Sequence, residues 1–413
     1  MRIAYLHQYF NTPKMAGSTR SYEIARRLVL RGHDVHVVTS NCLSAGPSAT
    51  WAETREEGIH VHWVSVPYSN HMSFSQRCRA FAQFAWRSAI RAASLKADVI
   101  FATSTPLTIV LPGLYAAKRA RIPFVFEVRD LWPEIPIALG AIKNPLLIRV
   151  ARALESLAYR QAEHIIALSP TMRDGIVQRG VAPERVSVIP NSCDFELFDV
   201  SSAAGEAFRK EQAWLGDQPL VSYVGTMGIV NGVEYLANLA AEVYKLDPAV
   251  RFLVVGGGRC AEAVRATAER RGVLKRNFFM WDPVPKQEVP RIVSASTLGT
   301  SLCIDNPALQ ANSANKVFDT LAGGRPLAVN HEGWIAQLIR ERGLGIVFDP
   351  QELPGTAQRL VRFLRDPEAI RRAESAARRT GRELFERGKL ATSIEQILVD
   401  VVQGKQVTAV CHC

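Results

Sequence analysis

The sequence predicts an α/β protein built from two Rossmann-like halves that face each other across a cleft. Three observations carry this. Apolar runs of strand length alternate with helical patterns. The alternation starts afresh after a small-residue linker, Ser201 to Gly205. The length of 413 residues suits two domains better than one.

The first strand is read at Ile3 to Phe10. A loop with Pro13 and Gly17 comes next, then a helix from Ser21 to Val29 that Gly32 ends, then a strand from His33 to Thr39. Strand, helix and strand with short connections make a βαβ unit. Further strands fall at Val61 to Val66, Val99 to Ala102, Phe124 to Val128, His164 to Leu168 and Val186 to Ile189. The second half opens with Leu220 to Val224 and the loop Gly225 to Gly228, with a helix after it from Val233 to Leu246. Its other strands are read at Phe252 to Val255, Phe278 to Trp281, Thr297 to Leu302 and Leu327 to Val329. The domains are therefore placed at residues 1–195 and 205–385, with a terminal segment at 386–413. Ligands of such sheets bind at the carboxyl ends of strands, where Gly17, Asp130, Gly228 and Lys316 fall.

Hydrophobic content of 47% with 22% charge is that of a globular chain. No apolar run approaches the roughly 18 residues of a membrane span. The opening Met1 to Leu6 is a strand rather than a secretion signal, because His7, Gln8 and Asn11 interrupt it. Seven scattered cysteines (42, 78, 193, 260, 303, 411 and 413) argue for a reducing compartment without a disulfide framework. Cys411-His412-Cys413 packs its groups too closely for a closed metal site, so no metal is expected. A net charge of +11 points to an anionic partner, whether nucleic acid, phosphorylated substrate or lipid.

Phe74 to Lys96 carries Arg77, Arg79, Arg87, Arg91 and Lys96 with no acid, interleaved with Phe74, Phe81, Phe84 and Trp86. It reads equally as a basic amphipathic helix for an anionic membrane or lipid-linked acceptor, and as a core helix with a solvated basic face.

The stretch Asn312 to Gly324 looks built for a charged, sugar-containing ligand. Ser313 and Asn315 are capping types, and Lys316 falls in the first helical turn, a natural phosphate site. Asp319, one turn on, can accept bonds from a ribose diol. The plainer alternative is a solvated Lys316 paired with Asp319. Gly256 and Gly258 match a dinucleotide fingerprint on paper, but they come after the second strand of their half, so no nicotinamide cofactor is expected.

These residues carry a resemblance. The chain resembles retaining GT-B glycosyltransferases of family 4 over nearly its whole length. The pieces are Gly17-Ser18, Arg31 to Val35, Ile189 to Asp194, Gly225 to Gly232 and Lys316 to Pro326. The stretch Val128-Arg129-Asp130-Leu131-Trp132-Pro133-Glu134 is similar to bacterial enzymes of O-antigen, capsule and exopolysaccharide assembly, including N-acetyl-L-fucosamine transferases. The resemblance implies a nucleotide-sugar donor, expected to be UDP-linked, held by Gly17, Ser18, Arg20, Thr226, Gly228, Ser313, Asn315, Lys316 and Asp319. It implies that Asp130 would act as base or orient the acceptor, and Arg129 stands where the family has a histidine. Glu134 is an acceptor-side candidate. The acceptor would be a lipid-linked saccharide, and the enzyme would be cytoplasmic and peripheral to the inner membrane face. No metal or other cofactor is implied. The terminal helix, about Ser393 to Val402, would cross back to the first domain.

This sequence also departs from the family. Thr226 and Asn231 stand where most members hold the diphosphate with Arg and Lys, and Ala311 stands where a Glu is usual. Two rivals remain open at this point: a UDP-sugar 2-epimerase on the same fold, and a nucleic-acid-binding protein using the basic surface.

Overall fold

The structure is a computed structural model, and it describes residues 1–15, 17–41, 51–66, 72–198 and 200–413. Cys42 and Ala16, in the stretches read above, lie outside the described residues, as does the side chain of Phe74. The chain divides into two compact units. One comprises Met1–Pro13, Gly17–Pro190 and Gly388–Cys413, the other Lys14–Ala16 and Asn191–Arg387. The second unit begins at Asn191 rather than at the boundary of 195 read from the sequence. Asn191 donates to the Ser313 carbonyl and Cys193 donates to that of Phe385, which ties this stretch to the second unit.

The first unit holds strands β1 (Arg2–Leu6), β2 (Asp34–Asn41), β3 (Trp51–Glu56), β4 (Ile59–Ser65), β5 (Val99–Thr103), β6 (Phe124–Val128), β7 (His164–Ala167) and β8 (Val186–Val188). Their order across the sheet is β3-β4-β2-β1-β5-β6-β7-β8, all parallel except β3, which runs antiparallel to β4. Strand β3 escaped the sequence reading because its polar Glu53, Thr54 and Arg55 lie on an exposed edge. The second unit holds β9 (Leu220–Val224), β10 (Arg251–Val255), β11 (Phe278–Trp281), β12 (Leu298–Ser301), β13 (Leu327–Val329) and β14 (Gly345–Val347), in the parallel order β11-β10-β9-β12-β13-β14. The central strands are buried throughout apart from Arg2 at the start of β1, as parallel sheets covered on both faces require.

Six helices matter below. They are α1 (Arg20–Leu30), α2 (Phe74–Ser94), α3 (Val110–Ala120), α4 (Glu134–Ala138), α5 (Pro145–Gln161) and α6 (Asn315–Ala322). Strand β1 stops at Leu6, not Phe10. His7 still donates its backbone N–H to the Val38 carbonyl, and the Gln8 carbonyl is shared by the Ser40 backbone N–H and the Thr39 and Ser40 hydroxyls.

The terminal helix spans Arg387–Val402, longer than read, and its Glu395 pairs with Arg31 and His33 of the first unit. The tail is not loose. Val188 donates to the Val410 carbonyl and His412 donates back to Val188, so the tail covers the edge of β8. Cys411 and Cys413 are joined by a disulfide, which corrects the expectation of free thiols there.

Candidate active site

In the first unit the candidate residues gather at the carboxyl ends of β1 and β6. Arg129 and Asp130 come directly after β6, and the Arg129 backbone N–H is held by the Ser104 hydroxyl at 2.9 Å. The guanidinium reaches Ser18 Oγ at 3.4 Å and His7 Nε2 at 3.2 Å. A guanidinium only donates, so Nε2 accepts and the His7 proton sits on Nδ1. That Nδ1 is buried with no hydrogen-bond partner among the described residues. Burial, then the Arg129 charge, hold His7 well below the usual histidine range, so it stays neutral. Asp130 accepts no hydrogen bond among the described residues, and burial pushes its carboxyl up to about 6 against the pull of Arg129. Gly17 adopts φ of 128° in the loop that carries Ser18, a conformation that favours glycine.

Two expected residues are already engaged. Arg20 is buried and spends its guanidinium on Glu127, at 2.8 Å, and on the carbonyls of Ile189 and Pro190. It is a structural pin rather than a donor ligand. Arg20→Ala should cost about 3–5 kcal/mol of stability, because it leaves Glu127 charged and unpaired in the core. Urea denaturation checks this, and a loss under about 1 kcal/mol would contradict it. Glu134 opens α4 and is paired with Arg179 at 2.8 Å and Arg152 at 3.5 Å. Both pairs use its Oε1, so two arginines orient the carboxylate of this acceptor-side candidate.

In the second unit the site forms at the ends of β9 and β12 and the start of α6. Helix α6 begins after Ala314 with no side-chain cap, so Ser313 and Asn315 do not cap it as expected. Ser313 Oγ is instead buried without a partner, as are Asn191 Oδ1 and Ser301 Oγ, among the described residues. Three orphaned acceptors or donors beside an uncapped helix start leave hydrogen-bonding capacity for a ligand. Lys316 lies in the first turn with its Nζ 5.0 Å over the Tyr223 ring. It makes no ion pair or hydrogen bond among the described residues. Burial draws its ammonium below the ordinary lysine range, while Cys303 and Asp319 oppose this. A Cβ on Gly225, whose φ is 153°, would stand 3.0 Å from Lys316 Cε, so glycine there makes room for the lysine.

Thr226 accepts from the Tyr223 hydroxyl through its carbonyl, and Gly228 donates to Asn231 Oδ1. Both bonds brace the loop that starts at Gly225. Gly256 and Gly258 meet the backbone of Gly225 and Met227 closely, so these glycines serve loop packing. Asp319 is paired, but not with Lys316: Lys286 Nζ reaches its Oδ2 at 2.6 Å. Asp319 Oδ1 has no hydrogen-bond partner among the described residues. Sequence reading missed Lys286, Tyr223 and His7, since nothing local marks them.

A third cluster lies at the opposite end of β2 and β4. Ligand atoms of Asp34, His36 and His60 fall within 4.8 Å of one another. Arg91 donates to His62 Nδ1, so the His62 proton sits on Nε2, 2.9 Å from His36 Nδ1. The His36 proton is then on Nε2, 3.1 Å from Asp34, and Arg2 takes the other Asp34 oxygen at 2.6 Å. The His36 Nε2 proton and the Arg2 guanidinium thus face the two Asp34 oxygens, positions a cation would use.

Comparison with known proteins agrees with this layout. A glycosyl transferase 4-like domain model matches residues 16–192, and a glycosyl transferases group 1 model matches residues 218–366. An alpha-D-kanosaminyltransferase of Streptomyces kanamyceticus is 26% identical over 55% of this chain and 58% of its own length. The chain thus spans under two thirds of that relative. A putative colanic acid biosynthesis glycosyl transferase of Escherichia coli K12 is 23% identical over 89% of this chain and 94% of its own. The crystal structure of Anabaena HepE in complex with UDP-glucose superposes with a TM-score of 0.72 at 18% identity, covering 97% of this chain and 100% of that one. Two parallel-sheet units of this topology, each matched by its own family model, place the chain in the glycosyltransferase group 1/4-like superfamily, with the GT-B fold.

Proposed function

We propose that the protein is a retaining glycosyltransferase that moves a sugar from a UDP-linked donor to a lipid-linked saccharide at the inner face of a bacterial membrane. The observation that carries the reading is Lys316, a half-buried ammonium with no ion pair or hydrogen bond among the described residues, in the first turn of an uncapped helix, with three orphaned polar atoms in the same unit. A buried cation costs free energy unless something anionic completes it. A diphosphate supplies that charge, and the ammonium acts most strongly when the leaving β-phosphate gains charge in the transition state. Lys316 and the backbone N–H groups of α6 then neutralise the diphosphate without a metal, even though Thr226 and Asn231 bring no cation.

Asp130 is the acceptor-side group. A carboxyl near pKa 6 is poised to take a proton close to neutral pH. Arg129, oriented by neutral His7 and by Ser18, contacts the donor sugar or its phosphate. A role in surface polysaccharide assembly is supported by the likeness of Val128 to Glu134 to such enzymes and by the colanic acid relative.

The ribose assignment is tested at Asp319. Wild-type protein should bind UDP roughly tenfold or more tightly than 2′-deoxy-UDP, and Asp319→Ala should erase the difference. Calorimetric titration reads both. A Lys286→Met control shows whether loss of the 2.6 Å ion pair alone is responsible. Unchanged UDP affinity in Asp319→Ala would remove Asp319 from the site.

A further inference from the structure

The sequence left α2 undecided between core and membrane, and the structure gives the helix one buried and one exposed face. Ala80, Phe84, Ser88 and Ala92 form a buried stripe against the sheet. Trp86 and Ile90, one turn apart, stand 71% and 54% exposed. They do not stand alone. Leu111 and Tyr115 of α3, and Leu146, Leu147 and Val150 of α5, are also exposed large apolar residues, Leu146 at 66%.

These helices share one face of the sheet. α2, α3 and α5 connect β4 to β5, β5 to β6 and β6 to β7, and each step moves the same way across the strand order. Right-handed crossovers place helices of one direction on one side. Helix α1 connects β1 to β2 in the reverse direction and lies on the other side. α2 packs against α3, and α3 against α5, so the exposed residues lie on three neighbouring helices of one face.

The charge of the layer is one-sided. α2 and α3 contain no acid, and the sole acid of α5, Glu155, is buried and bonded to Arg179. Arg79, Lys118, Arg119 and Arg149 are exposed around the apolar residues. Scattered apolar surface is ordinary, but three neighbouring helices that bring exposed apolar residues and exposed cations with no exposed acid of their own are not.

We propose that this three-helix face docks on an anionic lipid bilayer, with Trp86, Ile90, Leu111, Tyr115, Leu146 and Val150 entering the interface. Trp and Tyr suit the headgroup level, and the Arg and Lys rim meets the anionic lipid. The starts of α3 and α5, carrying Leu111, Leu146 and Leu147, come after the carboxyl ends of β5 and β6. Asp130 sits at that same end of β6. The Leu111, Leu146 and Leu147 end of the face therefore lies at the end of the sheet that carries Asp130, where a lipid-borne substrate would be presented. This deepens the proposed function and rests on it for its purpose.

The test is co-sedimentation of the full chain with phosphatidylcholine vesicles, with and without about 30% phosphatidylglycerol. The wild type should bind the anionic vesicles and not the neutral ones. Trp86→Asp combined with Leu146→Asp should lower partitioning by tenfold or more. Arg79→Gln with Arg149→Gln should lower it roughly fivefold per cation removed. Stabilisation by UDP, read in parallel by thermal shift, should be unchanged in every variant. Retained UDP response with no binding of wild type to anionic vesicles would overturn the docking face while leaving the donor site standing. Equal partitioning of the Asp variant would overturn it too. So would a wild-type dimer that Trp86→Asp dissociates while vesicles stay unbound, since the face would then belong to a second copy.

Discussion

Lys316→Met is expected to lower turnover about 10²–10³-fold, the usual cost of removing one fixed group that stabilises developing charge. The same substitution should raise the melting temperature of the unliganded protein. Burial draws the half-buried Lys316 ammonium below its ordinary range and no ion pair holds it among the described residues, whereas methionine fills similar volume without needing hydration. The pH dependence has a definite sign. The folded-state pKa of Lys316 is depressed below 10.5, so the unfolded chain holds the proton longer as pH rises. Wild-type stability therefore gains on that of the variant as pH climbs through the depressed value toward 10.5, and the difference narrows. A surface lysine would show neither the stability gain nor its pH dependence. Parallel thermal melts and steady-state rates separate the two cases. Few substitutions lower activity and raise stability together, so the combination marks a group strained for binding.

Asp130→Asn is expected to lower turnover about 10²–10⁴-fold, the range general-base catalysis supplies, with donor affinity unchanged. In the wild type the rate should fall as pH drops below about 6, because the protonated carboxyl cannot accept a proton. The variant should lose that limb. Stability runs the other way. The Asp130 pKa is raised from 3.8 to about 6 by burial, so its contribution is full below 3.8 and is lost as pH rises through about 6. Above pH 6 the Asn variant should then melt higher than wild type. An Asp130→Asn enzyme with wild-type turnover would leave Asp130 with no role in the chemistry.

The sequence disclosed the fold because parallel strands buried on both faces are written as apolar runs. Phe124 to Val128 and Leu220 to Val224 match the structure residue for residue. It failed where polarity and burial part company. β3 is a solvated edge whose Glu53 and Arg55 hide its strand character, and β14 starts at a glycine and is only half-buried along its length, so it lacks the apolar run that marked the others. At the site, local order was legible: Lys316 in a first helical turn, and Asp130 at a strand end. Partners distant in the chain were not. Nothing near Arg20 says that Glu127, over a hundred residues on, will consume it. Nothing near Asp319 foretells Lys286. The same holds for α2, where composition gave a basic aromatic helix but only packing could reveal that Phe84 turns inward and Trp86 outward.

Isothermal titration of UDP into wild type and Lys316→Met, in the presence of EDTA, tests the central claim most directly. Wild-type protein should bind without any divalent ion, and the variant should bind at least tenfold more weakly. Binding by wild type only when a metal is restored, or equal affinity in the variant, would contradict a donor site built on Lys316.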